Sequence, residues 1–404
     1  MKKNMRGLTF AILSISLLTV MAGAAMAPAL VAIKKYFDYC NPLTVQLIVS
    51  LPALFIIVTT FFFRPLCRLM RTRTLALVGL ILYVVAGAGA FFVDDIFTLL
   101  VFRALLGVSV GMIMPLSTGL LSFYFPPEEQ SHLMGLSAAM NQMGGVVATL
   151  LAGILATIEW RYAFLVYLAG LLAVICVIIF LPNESLQADT SASTTAKPST
   201  FKLLRRFYPS VTSMLFIMLL FFVYPTNFAL TANSQGVGAI GTTLIMVGLD
   251  VVAFAVGLSF GWLMRHFRRQ MKYAAPLLFL VGYLLLALMH GMTGMIAGSL
   301  FIGLANGAGV PYVNTIASIK GGRDAAVTVM PLISAALYLG QFLSPLIVSP
   351  LANAIGTPEA PYLVAVAIAL LFLLQAFLTR RHHALPPDRK QHATDAMNAL
   401  SASN

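Results

Sequence analysis

Twelve stretches of predominantly apolar residues run through this chain, at positions 8–33, 43–63, 74–93, 96–121, 132–156, 162–181, 208–231, 240–263, 274–290, 294–318, 326–349 and 361–379. Each is close to the roughly 20 residues that a helix needs to cross the hydrocarbon of a bilayer. In lipid a backbone must satisfy its own polar groups, and a helix does so within each segment. Composition leaves little room for another reading. Only 9% of the 404 residues are charged, against roughly 25% in soluble domains, too few to cover a water-facing surface of this size. The expected fold is therefore all-α and integral to the membrane, with twelve transmembrane helices.

The loops orient the helices. With the N-terminus in the cytoplasm, the inner loops and tails collect 21 Lys and Arg, among them Lys2, Lys3, Arg6, Arg64, Arg68, Arg71, Arg73, Arg265, Arg268 and Arg269. The outer side receives three, Lys34, Lys35 and Arg161, and Arg103 falls within a span. Basic residues accumulate on the cytoplasmic side of such proteins, so both termini are placed there. The same distribution accounts for the net charge of +12 without a nucleic-acid partner. Cys40, Cys67 and Cys176 are far apart and lack metal-ligand spacing, which suits packing residues better than a disulfide or a metal site.

Between the sixth and seventh spans the sequence turns polar and small, "NESLQADTSASTTAKPST", as flexible linkers do. The expected organisation is a six-helix bundle at 1–181, a cytoplasmic linker at 182–206, a second bundle at 207–380 and a cytoplasmic tail at 381–404. The halves repeat each other. Gly107, Gly111 and Pro115 of span 4 recur 196 residues later as Gly303, Gly307 and Pro311 of span 10. Gly144 of span 5, followed by Ala148, Ala152 and Gly153, recurs at the same offset as Gly340, followed by Ser344, Pro345 and Ser349. Leu69-Met70-Arg71 returns as Leu263-Met264-Arg265. A near-constant offset in corresponding spans marks an internal duplication.

The repeat also resolves an ambiguity in "MAGAAMAPAL", residues 21–30. Lys2, Lys3 and Arg6, an apolar run and the Ala25-Met26-Ala27 box together have the layout of a secretory signal peptide. Yet Pro28 and Ala32 have counterparts at Pro225 and Ala229 in span 7. The run from Leu8 to Ile33 is also longer than the roughly 7–15 residues of a signal core. It is expected to be span 1.

Two six-helix halves with Gly-rich spans 4, 5, 10 and 11 resemble the major facilitator superfamily of secondary transporters. Three motifs carry the resemblance. The loop after span 2, Cys67-Arg68-Leu69-Met70-Arg71-Thr72-Arg73, is similar to the family's Gly-x-Leu-(x)-Asp-Arg-x-Gly-Arg-Arg. It keeps the basic residues Arg68, Arg71 and Arg73 but has Met70 where the family has the Asp of a cytoplasmic latch; the second copy, ending in Arg265, has Met264 there. Arg103-Ala-Leu-Leu-Gly107-Val-Ser-Val-Gly111 matches the span-4 pattern Arg-x-x-x-Gly-x-x-x-Gly. The antiporter pattern of span 5 keeps its register at Gly135, Gly144 and Gly153, but Ala148-Thr149 stands where the family has Gly-Pro. The resemblance implies a transporter most like bacterial drug/proton antiporters, multi-pass in the inner membrane.

Ionisable groups within spans are expensive and so point to function. Two qualify. Asp250, the carboxylate well inside span 8, sits about 14 Å along the helix, at 1.5 Å per residue, near mid-membrane. It is the candidate proton site; a structural hydrogen bond is the competing role. Arg103, in span 4, is the second coupling candidate, and snorkelling to the outer surface is its alternative. The polar residues Asn141, Gln142, Tyr224, Asn227, Asn306, Asn314, Tyr338 and Gln341 of the inner spans are candidate substrate contacts, because a buried amide or phenol must find a partner. Gly236-Val-Gly238-Ala-Ile-Gly241 fits a dinucleotide pattern but has no strand before it. His290 and His132 lie at span ends. Neither a P-loop nor a metal-ligand cluster appears, so no cofactor is expected and an enzyme is not.

The expected activity is alternating access that is not driven by ATP, with proton-coupled efflux of lipophilic or cationic small molecules by a monomer. A sugar or other metabolite carrier of the same superfamily is the alternative, and a membrane receptor or enzyme a remoter one.

Overall fold

A computed structural model of the chain describes residues 2–125, 127–183, 200–267, 270–321 and 329–379. Most of the expected linker and the tail beyond Thr379 lie outside the described residues. Among those residues the secondary structure is helical throughout. Twelve helical segments are long and apolar enough to span a membrane, from Met5–Ala24 to Ala360–Leu378. Their order matches the twelve expected spans, and they are numbered accordingly.

Three spans depart from simple helices. Span 1 does not run unbroken to Ile33. Its helix Lys2–Ala24 gives way to a turn at 25–29, and a short helix Leu30–Tyr36 follows. Pro28 contributes, since it lacks the N–H that the Ala24 carbonyl would need and its ring clashes with that carbonyl, but its counterpart Pro225 sits inside the unbroken span 7 helix Thr200–Ser234. Apolar content alone cannot reveal such a break. Span 6 starts as a 3-10 helix, Trp160–Ala169, and becomes α-helical over Gly170–Phe180. The helix of span 7 begins at Thr200, inside the segment expected to be linker.

The apolar side chains form two cores, one for each half. They exchange one residue each: Ala27 of span 1 packs in the second core, and Phe222 of span 7 in the first. The bundles meet chiefly where span 2 packs on span 11 and span 5 on span 8.

The repeated glycines are explained by what they touch. An added Cβ on Gly107 would lie 2.4 Å from the Pro52 carbonyl oxygen, and one on Gly303 would lie 2.6 Å from that of Leu249. Gly111 and Gly307 press on Ile56–Thr59 and Ala253–Val256 in the same way. Gly144 approaches the Leu17 carbonyl and Gly340 that of Leu215. Spans 4 and 10 therefore pack on spans 2 and 8, and spans 5 and 11 on spans 1 and 7, backbone against backbone. Small residues permit this approach, and dispersion rather than water drives it in lipid.

The bundles meet on the outer side and part on the inner side. At the outer end of the span 5–span 8 seam, Gly153 sits against the Thr243 side chain, 2.2 Å from where a Cβ would be. Further inward, Ala253, Phe254, Gly257 and Leu258 of span 8 and Ala138, Asn141 and Gln142 of span 5 line a gap between the bundles instead. The structure is inward-facing.

Candidate functional site

The widening gap between the bundles is a cavity of about 740 Å³, lined by spans 1, 2, 4 and 5 of the first half and 7, 8, 10 and 11 of the second. Its wall is mostly apolar, with Met114, Met218, Met246, Phe221, Phe222 and Phe254 among its large side chains. Methionine and aromatic side chains adapt to guests of varied shape. The packing of spans 4 and 10 on spans 2 and 8 turns Asp250 towards this space.

Asp250 is the carboxylate in the wall. Thr149 Oγ1, across the seam on span 5, donates to its Oδ2 at 3.0 Å. Among the described residues nothing donates to the other oxygen. The glycine contacts pair Pro52 with Leu249 and Ile56 with Ala253, an offset of 197 between spans 2 and 8 that puts Ala53 at the place of Asp250; Ala53 lines the same cavity, and the site is asymmetric. Of the eight polar candidates, Asn141, Gln142, Tyr224, Asn306, Asn314, Tyr338 and Gln341 all line the cavity. Asn141 Oδ1 accepts from Thr19 at 2.6 Å, and the Tyr224 hydroxyl is 2.7 Å from Ser299 Oγ. The Tyr338 hydroxyl donates to Met114 Sδ at 2.7 Å, from the second half to the first. Asn306 Oδ1 is buried without a partner among the described residues.

Asn227 lies elsewhere. Its Oδ1 accepts from Gln46 Nε2 at 2.9 Å, and Ser349 Oγ donates to Gln46 Oε1. Gln46, Asn227 and Ser349 are all buried, and they join spans 2, 7 and 11 near their outer ends. This cluster closes the seam opposite the one that Gly153 and Thr243 close. Gln46 was not among the sequence candidates, since a single amide four residues into span 2 resembles a headgroup-level residue.

Arg103 neither snorkels nor faces Asp250. It is fully buried in the first bundle, where Nε donates to the Ile48 carbonyl at 2.9 Å, Nη2 to that of Ala22 at 3.0 Å, and Nη1 and Nη2 to the Tyr167 hydroxyl at 2.9 and 3.0 Å. Tyr167 donates in turn to Ala22 O. Each carbonyl is free for a reason. Ile48 is four residues before Pro52, which has no N–H to offer it. Ala22 is in the last turn before the break in span 1, where carbonyls lose their helical partners. A charged donor thus satisfies two helix defects at once, with the rings of Tyr167 and Phe164 at 5.4 and 5.9 Å from the guanidinium carbon. Sequence reading missed the hydroxyl and carbonyls that hold it.

The loop motif is mostly solvent-facing. Arg71 and Arg265 are exposed, and Arg73 donates to the Ile178 carbonyl. The side chain of Arg68 and the surroundings of Gly135 lie outside the described set. No ion pair among the described residues involves Arg71, Arg73 or Arg265, in keeping with Met70 and Met264 at the acidic positions. No group of acidic, His and Cys side chains among the described residues could hold a metal ion.

Comparison with known proteins agrees with this architecture. The chain is 24% identical over 323 residues to the quinolone resistance protein NorA of Staphylococcus aureus, covering 76% of this chain and 80% of that one. It is 28% identical over 89 residues to multidrug resistance protein 3 of Bacillus subtilis, covering 22% and 17%. Among solved structures, a bacterial homologue of the human lysosomal transporter Spinster, inward-facing and occupied, superposes with a TM-score of 0.76 at 15% identity, over 94% of this chain and 98% of that one. The nucleoside transporter NupG superposes at 0.75 with 9% identity, over 92% and 99%. Residues 12–345 match the family described as Major Facilitator Superfamily. With that match over most of its length, and with two packed six-helix halves around one cavity, the chain belongs to the major facilitator superfamily of transporters.

Proposed function

We propose that this transporter is a proton-coupled exporter of lipophilic, cationic small molecules, with Asp250 as the group that takes up proton and substrate in turn. One observation carries the reading: among the described residues, a large, mostly apolar cavity between the bundles has a single carboxylate in its wall, with one oxygen unengaged. A charged carboxylate in such surroundings is stabilised by a proton or by a cation, so the two compete for it. Binding either one shifts the equilibrium between inward- and outward-facing forms. The names of the two sequence relatives, a quinolone resistance protein and a multidrug resistance protein, support the substrate class. The unpartnered Asn306 Oδ1 offers a second acceptor for substrate N–H groups. The amides Asn141, Gln142, Asn314 and Gln341 in the same wall favour a second reading, export or uptake of a polar metabolite.

Inverted membrane vesicles test both. A panel of lipophilic cations and neutral metabolites is offered with and without an imposed pH gradient. Cation accumulation that collapses with the gradient is the expected result. Asp250→Asn should still bind the cation weakly but no longer concentrate it. Wild-type pumping by Asp250→Asn, with an unchanged pH profile, refutes the assignment.

A further inference from the structure

Thr149 departs from two patterns at once. It stands where the family's antiporter motif has proline, and where the internal repeat has Pro345 in the second half. A proline there could offer no hydroxyl. Thr149 is buried, and its Oγ1 donates across the seam between the bundles to Asp250 Oδ2 at 3.0 Å. One turn further out on span 5, Gly153 is clasped by Thr243 of span 8. The Thr149–Asp250 bond therefore lies just inside the tightest contact of the closed outer seam. To face outward, spans 5 and 8 must separate here.

We propose that Thr149 is a positioning residue that straps the two bundles together on the outer side while Asp250 is charged and unoccupied, and releases them when a proton or a cationic substrate neutralises it. This rests on the reading of Asp250 as the proton site. A hydrogen bond to a carboxylate is about twice as strong as one to a neutral acceptor. Neutralisation by a proton weakens it, and a bound cation competes for the same oxygens. The strap thus disfavours outward opening of the empty, charged carrier, which is the step that would dissipate the gradient without export. Few other titratable groups lie on the elements packed against span 8. Tyr224 on span 7 is bonded to Ser299; Arg205, Arg206 and Tyr208 are at its inner end. Tyr312 and Lys320 are on span 10. Glu129 is at the inner end of the span 5 helix, and Arg265 and His266 end span 8 itself.

The test is conformational. Thr243, only 2% exposed in the closed seam, becomes a reporter as Thr243→Cys in a chain lacking Cys40, Cys67 and Cys176. Labelling by a membrane-impermeant maleimide from outside is measured at two pH values on either side of carboxylate titration, corrected for the reagent's own pH dependence. The strapped protein should label about tenfold more slowly at the higher pH, equivalent to about 1.4 kcal/mol. Thr149→Val, equal in shape but without the hydroxyl, should label fast at both pH values, and Thr149→Ser should restore the difference. Asp250→Asn should also label fast at both. If Thr149→Val keeps the pH dependence while Asp250→Asn loses it, the strap is wrong and the proton site stands. If Asp250→Asn keeps it, both readings fall.

Discussion

Replacing Gln46 by leucine should open the outer face. In the closed form Gln46 donates to Asn227 and accepts from Ser349, so one side chain of the first half holds two spans of the second. Leucine fills similar space but makes neither bond. A typical intramolecular hydrogen bond is worth about 1 kcal/mol net, so two are worth about 2 kcal/mol. In the outward-open form, water would solvate Asn227 and Ser349, and the substitution costs little there. The closed form alone is penalised, and the equilibrium moves towards the open one by about 30-fold. Stranding the Asn227 and Ser349 oxygens in a dry seam would enlarge the shift, since each unsatisfied buried group costs about 1–3 kcal/mol. The assay is outside labelling of Thr243→Cys, on the opposite seam. A reporter distant from the altered residue responds only if the bundles move as rigid bodies. Faster labelling by tens of fold is expected, in protein that remains monodisperse in detergent. An unchanged rate in folded protein would refute the assignment of this cluster as the outer closure.

Three further outcomes are expected. Arg103→Ala should lower the thermal stability of the purified protein by about 1–3 kcal/mol, because it strands the Ile48 carbonyl in a dry interior and leaves the Ala22 carbonyl to the Tyr167 hydroxyl alone; Arg103→Lys should recover only part, lacking the planar fork that reaches all three groups. A wild-type melting temperature for Arg103→Ala would overturn the bracing role. Gly144→Val should abolish folded protein in size-exclusion profiles, since even a Cβ would lie 2.0 Å from the Leu17 carbonyl oxygen, whereas Gly119→Ala, with nothing within 4 Å, should be silent; equal profiles would contradict the packing. Cys40 should react with an impermeant thiol reagent on intact spheroplasts and Cys67 only in inverted vesicles, more slowly because burial pushes the Cys67 thiol up and leaves less thiolate at neutral pH; preferential labelling of Cys67 from outside would invert the topology.

What the sequence determined by itself follows from local composition. Lipid selects apolar segments of a fixed length, and the electrostatics of insertion distribute Lys and Arg. Both act segment by segment, so the number and order of the twelve spans could be read without knowing what touches what. The glycine repeats were legible for a related reason. A backbone-to-backbone approach tolerates only small residues, so Gly107 and Gly303, or Gly144 and Gly340, are marked in both copies. Asp250 was legible because a carboxylate in a span is costly enough to stand out.

Only the tertiary structure decided the partners. Arg103 and Asp250 were alike as charges in opposite halves, yet one is locked to Ile48, Ala22 and Tyr167 inside its own bundle and the other meets Thr149 on the cavity wall. Gln46, Thr149 and Tyr167 carry no signal in a one-dimensional pattern, since an isolated amide or hydroxyl in a span can satisfy itself locally. Their significance arises from helices 64 to 303 residues apart in sequence brought within hydrogen-bond distance. Helix crossing and rotation set those distances, and both are properties of how the two bundles pack, which no single segment contains.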